Sequence, residues 1–289
     1  MRLRSLLFVP ADSERKLAKS TGSPADALIL DLEDSVVESR KVVARGTAAE
    51  FIAAMATQLS ARLFVRINPL DDARALGDLA AVVIPGLGGV VLPKIRGVAD
   101  VLRLGHYLDA LEARAGIAAG TVQIVPVATE TPAALLTMSG FAGPLPRLAA
   151  VTWGAEDLAA AVGALANRDA DGGYSPLYTL AGSLCLVAAA AAAVPAIDTI
   201  YGDFRDAAGL AAASHESRRR GFAGRLAIHP DQVAVINEAY SPSAAELAHA
   251  RRIVDAFAAH PDAGTLSIDG TMIDKPHLTQ ALRTLELAG

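Results

Sequence analysis

The sequence is almost without cysteine: Cys185 stands alone, which excludes an internal disulfide and any thiolate metal cluster. It also lacks a surplus of one charge. Its 26 basic residues face 31 acidic ones, a net of −5, so the electrostatic footprint of a nucleic-acid binder is missing. Long apolar runs are absent although 52% of residues are hydrophobic and mean hydropathy is +0.36. The longest, Leu184–Ile197, is mostly alanine and is broken by Pro195; a membrane-spanning helix needs about 20 residues. After Met1-Arg2-Leu3-Arg4 only a short apolar run leads to Pro10, too brief for the core of a secretion signal. The six histidines, His106, His215, His229, His249, His260 and His277, show no H-x-H or i, i+4 pairing, which argues against zinc. No G-x-S-x-G elbow or Walker loop occurs. These absences point to a soluble, cytoplasmic, alanine-rich globular protein with no nucleic-acid or membrane partner.

What the chain does contain is a recurrent short apolar run. Eight segments bounded by turn signals read as strands: Ser5–Val9, Ala27–Leu32, Leu63–Ile67, Gly89–Pro93, Val122–Val127, Ala149–Trp153, Ala196–Ile200 and Arg225–Ile228. They are nearly continuous in apolar residues, as parallel strands covered on both faces are. Helix-like stretches such as Lys41–Gln58, Ala99–Ala113 and Glu156–Ala166 lie between them. Eight such units predict a (β/α)8 barrel over residues 1–235. An open doubly wound sheet is the alternative, but its G-x-G-x-x-G after the first strand is replaced by Pro10-Ala11-Asp12. Gly86-Leu87-Gly88-Gly89 precedes a strand and reads as a turn. Residues 236–289 exceed what a barrel needs. They carry a helix opened by the Ser243/Glu246 cap signature, a short strand-like Thr265–Ile268, a turn at Asp269-Gly270 and a last helix from about Lys275. This C-terminal helical extension is expected to serve a neighbouring subunit.

In such a barrel the residues just after the strands form the active rim. Strand 2 offers Asp31, Glu33 and Asp34, strand 3 Arg66 and Asn68, and strand 4 Lys94. Strand 5 gives Glu130, strand 6 Glu156 and Asp157, and strand 7 Asp198, Asp203 and Asp206. Carboxylates suit a hard cation, and Mg²⁺ takes one or two of them with waters and substrate oxygens. Glu130 and either Glu156 or Asp157 stand on adjacent strands and can share an ion; equally, they can cap the helices that follow. Arg66 is a planar fork for a carboxylate or carbonyl oxygen, or a salt-bridge partner of Asp34 or Glu33. Lys94 is a candidate Schiff-base lysine, but amid so many acids it is expected to pair with one of them. The loop from Asn167 to Pro176, with Tyr174, reads as a lid or as an exposed connection.

Seven motifs then fall in register. They are Arg4–Pro10, Leu30-Asp31-Leu32-Glu33-Asp34, Val65-Arg66-Ile67-Asn68, Leu92-Pro93-Lys94, Glu130-Thr131, Gly154-Ala155-Glu156-Asp157-Leu158 and Ile228-His229-Pro230. In this order the chain resembles the citrate lyase β-subunit-like branch of the HpcH/HpaI aldolase family, near the malyl-CoA and citramalyl-CoA lyases, from about Arg4 to Leu285. The resemblance implies a Mg²⁺-dependent carbon–carbon lyase acting on a 3-hydroxyacyl-CoA thioester, with CoA part of the substrate. Glu130 and Asp157 would hold the metal, and Arg66 and Glu130 would meet the substrate. Glu33 and Asp34 would stand behind the metal; Phe8, Arg15 and Lys19 would contact CoA. Met272-Ile273-Asp274 matches a tail segment that crosses into a neighbour's site, making Asp274 the acid/base. A homo-oligomer, trimer or hexamer, follows from that. Alternatives within the resemblance are a citryl lyase on a carrier-bound substrate and a CoA-independent pyruvate aldolase.

Overall fold

The computed structural model of the chain describes residues 2–287. Its main element is a ring of eight parallel strands, each after the first preceded by at least one helix. β1 (Ser5–Pro10), α1 (Glu14–Ser20), β2 (Ala27–Asp31), α2 (Lys41–Met55), β3 (Arg62–Arg66), α3 (Ala75–Val82), β4 (Gly89–Leu92) and α4 (Val98–Ala115) form the first half. β5 (Gln123–Pro126), α5 (Pro132–Leu136), β6 (Val151–Thr152), α6 (Glu156–Val162), α7 (Pro176–Ala191), β7 (Ala196–Asp198), α8 (Ala207–Arg220) and β8 (Gly224–Ala227) form the second. Strand order is β5-β4-β3-β2-β1-β8-β7-β6. Bridges between Ile124 and Leu148 and between Val127 and Thr152 join β5 to β6 and bring the sheet round to a (β/α)8 barrel.

The apolar runs are continuous because both faces of each strand are covered. Leu6, Ile29, Phe64, Val91, Val125, Ile197 and Leu226 belong to one buried cluster. Gly89 is required where it stands: a Cβ there would lie 2.4 Å from the Phe64 ring and 2.7 Å from the Gln123 carbonyl. All eight strands lie within or beside the segments read from the sequence; the helices differ more. α6 ends at Val162 instead of Ala166, because Gly163 adopts φ +72° and caps it. No helix among the described residues is long and apolar enough to cross a membrane.

The chain divides into two compact units: Leu3–Asn237, and residues 238–287 with Arg2. α9 (Pro230–Ala239) runs across the division, and α10 (Ala244–Ala259) opens the second unit. The Ser243 hydroxyl accepts from the Glu246 amide and the Glu246 carboxylate accepts from the Ser243 amide, so the cap signature is realised. β9 (Thr265–Ile268) and β10 (Thr271–Asp274) form an antiparallel hairpin around Asp269-Gly270, both at positive φ. α11 (Lys275–Glu286) completes the unit, burying Ala281 with Ile253, Phe257 and Ile273.

Candidate active site

The polar residues of the rim are set by strand register. Asp31 and Arg66 are the last residues of β2 and β3 and stand opposite one another. The guanidinium therefore donates from Nε and Nη2 to the two Asp31 oxygens, at 2.7 Å each. Its remaining nitrogen, Nη1, lies 3.1 Å from Glu33 and 3.9 Å from Asp34. The Phe8 ring sits beneath the guanidinium carbon at 4.7 Å. Burial pushes the Asp31 carboxyl upward, but the Arg66 hydrogen bonds and charge outweigh it and hold the group below its ordinary range. Glu33 moves the other way, raised by burial against the pull of Arg66 and Lys94. Sequence reasoning names Glu33 and Asp34 as salt-bridge partners of Arg66 and misses Asp31. The signal is nonetheless in the chain: two adjacent parallel strands each end on a residue of opposite charge.

Lys94 ties the other half together. Its backbone is left-handed, with φ +50°. That conformation lets its amide donate to Glu130 Oε2 at 2.6 Å, while its ammonium pairs with Glu33, with Asp34 at 3.0 Å and with Asp157 at 3.2 Å. The expected acid pairing of Lys94 is thus met threefold. Burial, and next the Asp157 charge, push the Glu130 carboxyl up to about 8. Neither group caps a helix. Thr131 caps α5 by accepting from the Ala134 amide at 3.1 Å, and α6 has no side-chain cap. Of the two acids after β6, Asp157 faces Lys94, whereas Glu156 accepts from Asn167 at 2.8 Å.

A supporting layer behind the rim carries no motif that sequence reasoning could single out. Lys41, the first residue of α2, donates to the carbonyls of Leu32 and Glu33 at 2.9 and 2.8 Å and to Asn68 Oδ1 at 3.0 Å. Asn68 in turn donates to buried Asp78, which Arg45 also meets at 2.9 Å. The β2 loop is therefore fixed from three elements, so Glu33 and Asp34 leave it at a set angle.

Other predicted residues lie elsewhere. Arg15 and Lys19 are exposed on α1. Asp274 belongs to the second unit, where it is the N-cap residue of α11 and meets His277 Nδ1 at 2.5 Å. The strand-7 acids are engaged internally: Asp198 accepts from Trp153 at 2.7 Å and pairs with Arg225, and Asp206 caps α8 while accepting from Tyr201. In the long loop the Arg168 guanidinium lies 3.9 Å over the Tyr174 ring, which meets Trp153 edge-on at 5.1 Å. Among the described residues no three or more His, Cys, Asp or Glu side chains converge as a ready-made metal cage.

The fold and the site define a (β/α)8 barrel with an arginine and several acids at its strand ends, and similarity says which family it belongs to. Residues 4–230 match the model of HpcH/HpaI aldolase/citrate lyase, and the chain belongs to that family. It is 34% identical over 284 residues to the citrate lyase subunit beta-like protein of Mycobacterium tuberculosis H37Rv, covering 98% of this chain and 94% of that one. It is 33% identical over 288 residues to a (3S)-malyl-CoA thioesterase of Cereibacter sphaeroides, covering 99% and 94%. The match to the citrate lyase subunit beta of Escherichia coli K12 is 33% over 291 residues, covering 99% and 94%. Among solved structures, CitE of M. tuberculosis in complex with magnesium, acetoacetate and coenzyme A superposes with a TM-score of 0.80 at 33% identity, covering 99% of this chain and 98% of that one.

Proposed function

We propose that the protein is a Mg²⁺-dependent carbon–carbon lyase that cleaves a 3-hydroxyacyl-CoA thioester of the malyl-, citramalyl- or methylmalyl-CoA type, or condenses the same fragments. The observation that carries the reading is the placement of Glu130 and Asp157. They leave adjacent strands, neither caps a helix, and the buried Glu130 is pushed up to about 8 by burial and by Asp157. Hard oxygen donors carrying more negative charge than nearby cations neutralise fit Mg²⁺. Bound by these two residues, Mg²⁺ would supply Lewis acidity to the hydroxyl and carboxylate oxygens of the acid fragment. The similarity to CitE, solved with magnesium and coenzyme A, supports the same ligands here.

The rest of the chemistry falls to the chain's own groups. Arg66 is locked by Asp31 through two nitrogens, and Nη1, steadied by Glu33 at 3.1 Å, faces the oxygen on which carbonyl character develops. Glu33 and Asp34 hold that nitrogen and Lys94 in place, and Glu130 also borders the acid fragment. Phe8 keeps one side of the guanidinium dry. Arg15 and Lys19 are exposed cations suited to the phosphates of CoA. Asp274, contributed by a neighbouring copy in a homo-oligomer, delivers a proton to the α-carbon of the acyl-CoA enolate on cleavage and removes it on condensation.

Purified protein with Mg²⁺ and a panel of malyl-, citramalyl- and methylmalyl-CoA should release a keto acid or glyoxylate together with acyl-CoA. Turnover confined to a free 4-hydroxy-2-keto acid, or hydrolysis of the thioester with no carbon–carbon cleavage, overturns the reading. Activity appearing only with an acyl-carrier protein moves it to a citryl lyase of the E. coli subunit type. Glu130→Ala and Asp157→Ala should each remove calorimetric Mg²⁺ binding. Asp274→Asn should retain Mg²⁺ and lose turnover, and mixing it with Arg66→Ala should restore activity if the site is shared between copies.

A further inference from the structure

Lys94 is the residue of the rim that the proposed chemistry leaves without a task, and it has the most constrained geometry there. It occupies a left-handed backbone conformation that a side-chain-bearing residue adopts only at a cost. What this conformation achieves is coverage of both proposed metal ligands by one residue. The amide reaches Glu130 at 2.6 Å and the ammonium reaches Asp157 at 3.2 Å. The same ammonium holds Glu33 and Asp34, so it touches three carboxylates.

Charge explains why such a residue is needed. Five carboxylates crowd the rim: Asp31, Glu33, Asp34, Glu130 and Asp157. Asp31 is satisfied by Arg66, whose third nitrogen reaches only Glu33 and Asp34. Among the described residues, the cationic side chain paired with Asp157 is that of Lys94. A lysine ammonium is a compact point charge on a flexible stem, so it can hold a carboxylate and later release it, unlike a bidentate arginine.

We infer that Lys94 is a resident counter-cation: it holds Asp157 in the metal-free protein, yields that carboxylate to the arriving divalent ion, and remains anchored on Glu33 and Asp34. The inference rests on Glu130 and Asp157 being the metal ligands. Its consequence runs against the usual result of mutating a residue that touches a metal site. An ammonium beside the site repels a second cation, so removing it should strengthen metal binding while weakening the metal-free fold.

The experiment uses the full-length protein and Mg²⁺ alone. Titration calorimetry on Lys94→Gln should show Mg²⁺ bound about tenfold more tightly than by wild type, the scale of one like charge removed from a few ångströms away. In EDTA the variant should melt below wild type, and saturating Mg²⁺ should close the gap. Lys94→Arg keeps a cation at the position but can grip Asp157 through two nitrogens, so it should bind Mg²⁺ no more tightly than wild type. Lys94→Met serves in place of Gln should the latter fail to fold. Affinity that is unchanged or weaker in the charge-removing variant, or tightened equally by Lys94→Arg, overturns the inference. Failure of the metal reading itself looks different: wild type then binds no Mg²⁺, or binds it undiminished in Glu130→Ala and Asp157→Ala.

Discussion

Glu112 and Glu130 are buried glutamates at the two ends of one strand, the first below the entry to β5 and the second just past its exit. Their proton affinities move in opposite directions. Glu112 accepts from the amides of Val122 at 2.7 Å and Gly120 at 2.9 Å and from both terminal nitrogens of Arg147 at 3.0 and 2.6 Å. Burial alone would raise its pKa, yet these donors outweigh burial and hold it below the ordinary glutamate range. Glu130 accepts one amide, from Lys94, and faces another acid, so burial and Asp157 push it up to about 8. At the entry end the chain completes its own hydrogen bonds and the cluster stabilises the barrel. At the exit end Glu130 is left with one backbone donor and an acidic neighbour, the perturbed arrangement on which the proposed cation site rests.

The contrast breaks most visibly at Arg147. Removing it by Arg147→Ala leaves Glu112 buried with its two backbone donors and no cation, and should cost about 3–5 kcal/mol. Urea unfolding with calorimetric confirmation measures this, and a loss below about 1 kcal/mol would show that the entry cluster is not structural. The pH dependence has a defined sign. Because the folded pKa of Glu112 is depressed, its contribution is present above the usual glutamate range and is lost as pH falls through the folded value. Wild type should therefore lose stability in acid that the Arg147 variant has already lost.

Glu130→Gln probes the exit end and should act with the opposite sign. A raised folded pKa means that metal-free wild type is progressively destabilised as pH climbs from the ordinary glutamate range to about 8. The amide variant carries no such charge and can still accept from the Lys94 amide. In EDTA at pH 8 or above it should melt several degrees higher than wild type, each 1 kcal/mol being about 2–4 °C for a domain of this size. It should also bind Mg²⁺ far more weakly. A variant melting lower than wild type under those conditions would place Glu130 with Glu112 as a structural acid.

How much of this is legible in the sequence follows the physics of each feature. The strands are readable because both their faces are buried, which writes an unbroken apolar run such as Leu28-Ile29-Leu30 into the chain. The rim follows because barrel strands end at a common level, so the strand ends alone give Arg66, Lys94, Glu130 and the Glu156-Asp157 pair in order, without choosing between the last two. Helix ends are less readable, since α6 stops on a single glycine, Gly163, that a run of alanines conceals. Partnerships are the least readable. That Asp31 grips Arg66 through two nitrogens, beside the Glu33 contact, depends on strand register, and that Lys41 supports the β2 loop depends on a helix start 27 residues before Asn68. The left-handed turn at Lys94 has no sequence signal, because glycine is the usual occupant of such a conformation.

Gly154 offers the finest test, because its substitution perturbs the exit glutamate without touching any charge. A Cβ at this position would lie 3.0 Å from Glu130 Cγ, 3.2 Å from its Oε1 and 3.4 Å from Val127 Cγ1. Glu130 cannot retreat freely, since its other oxygen is held by the Lys94 amide. Gly154→Ala must therefore displace the carboxylate by a few tenths of an ångström while leaving the barrel intact. Stability should change by no more than about 1 kcal/mol, whereas Mg²⁺ affinity should fall by about tenfold, the low end for disturbing a ligand's orientation. Gly46→Ala is the matched control. It lies inside α2 with nothing within 4 Å of the added Cβ, and alanine there should add roughly 0.5–1 kcal/mol of helix stability with no effect on Mg²⁺. If the two alanine variants bind Mg²⁺ equally well, Glu130 is not held at the distance a ligand requires, and the exit end of β5 differs from the entry end only in charge.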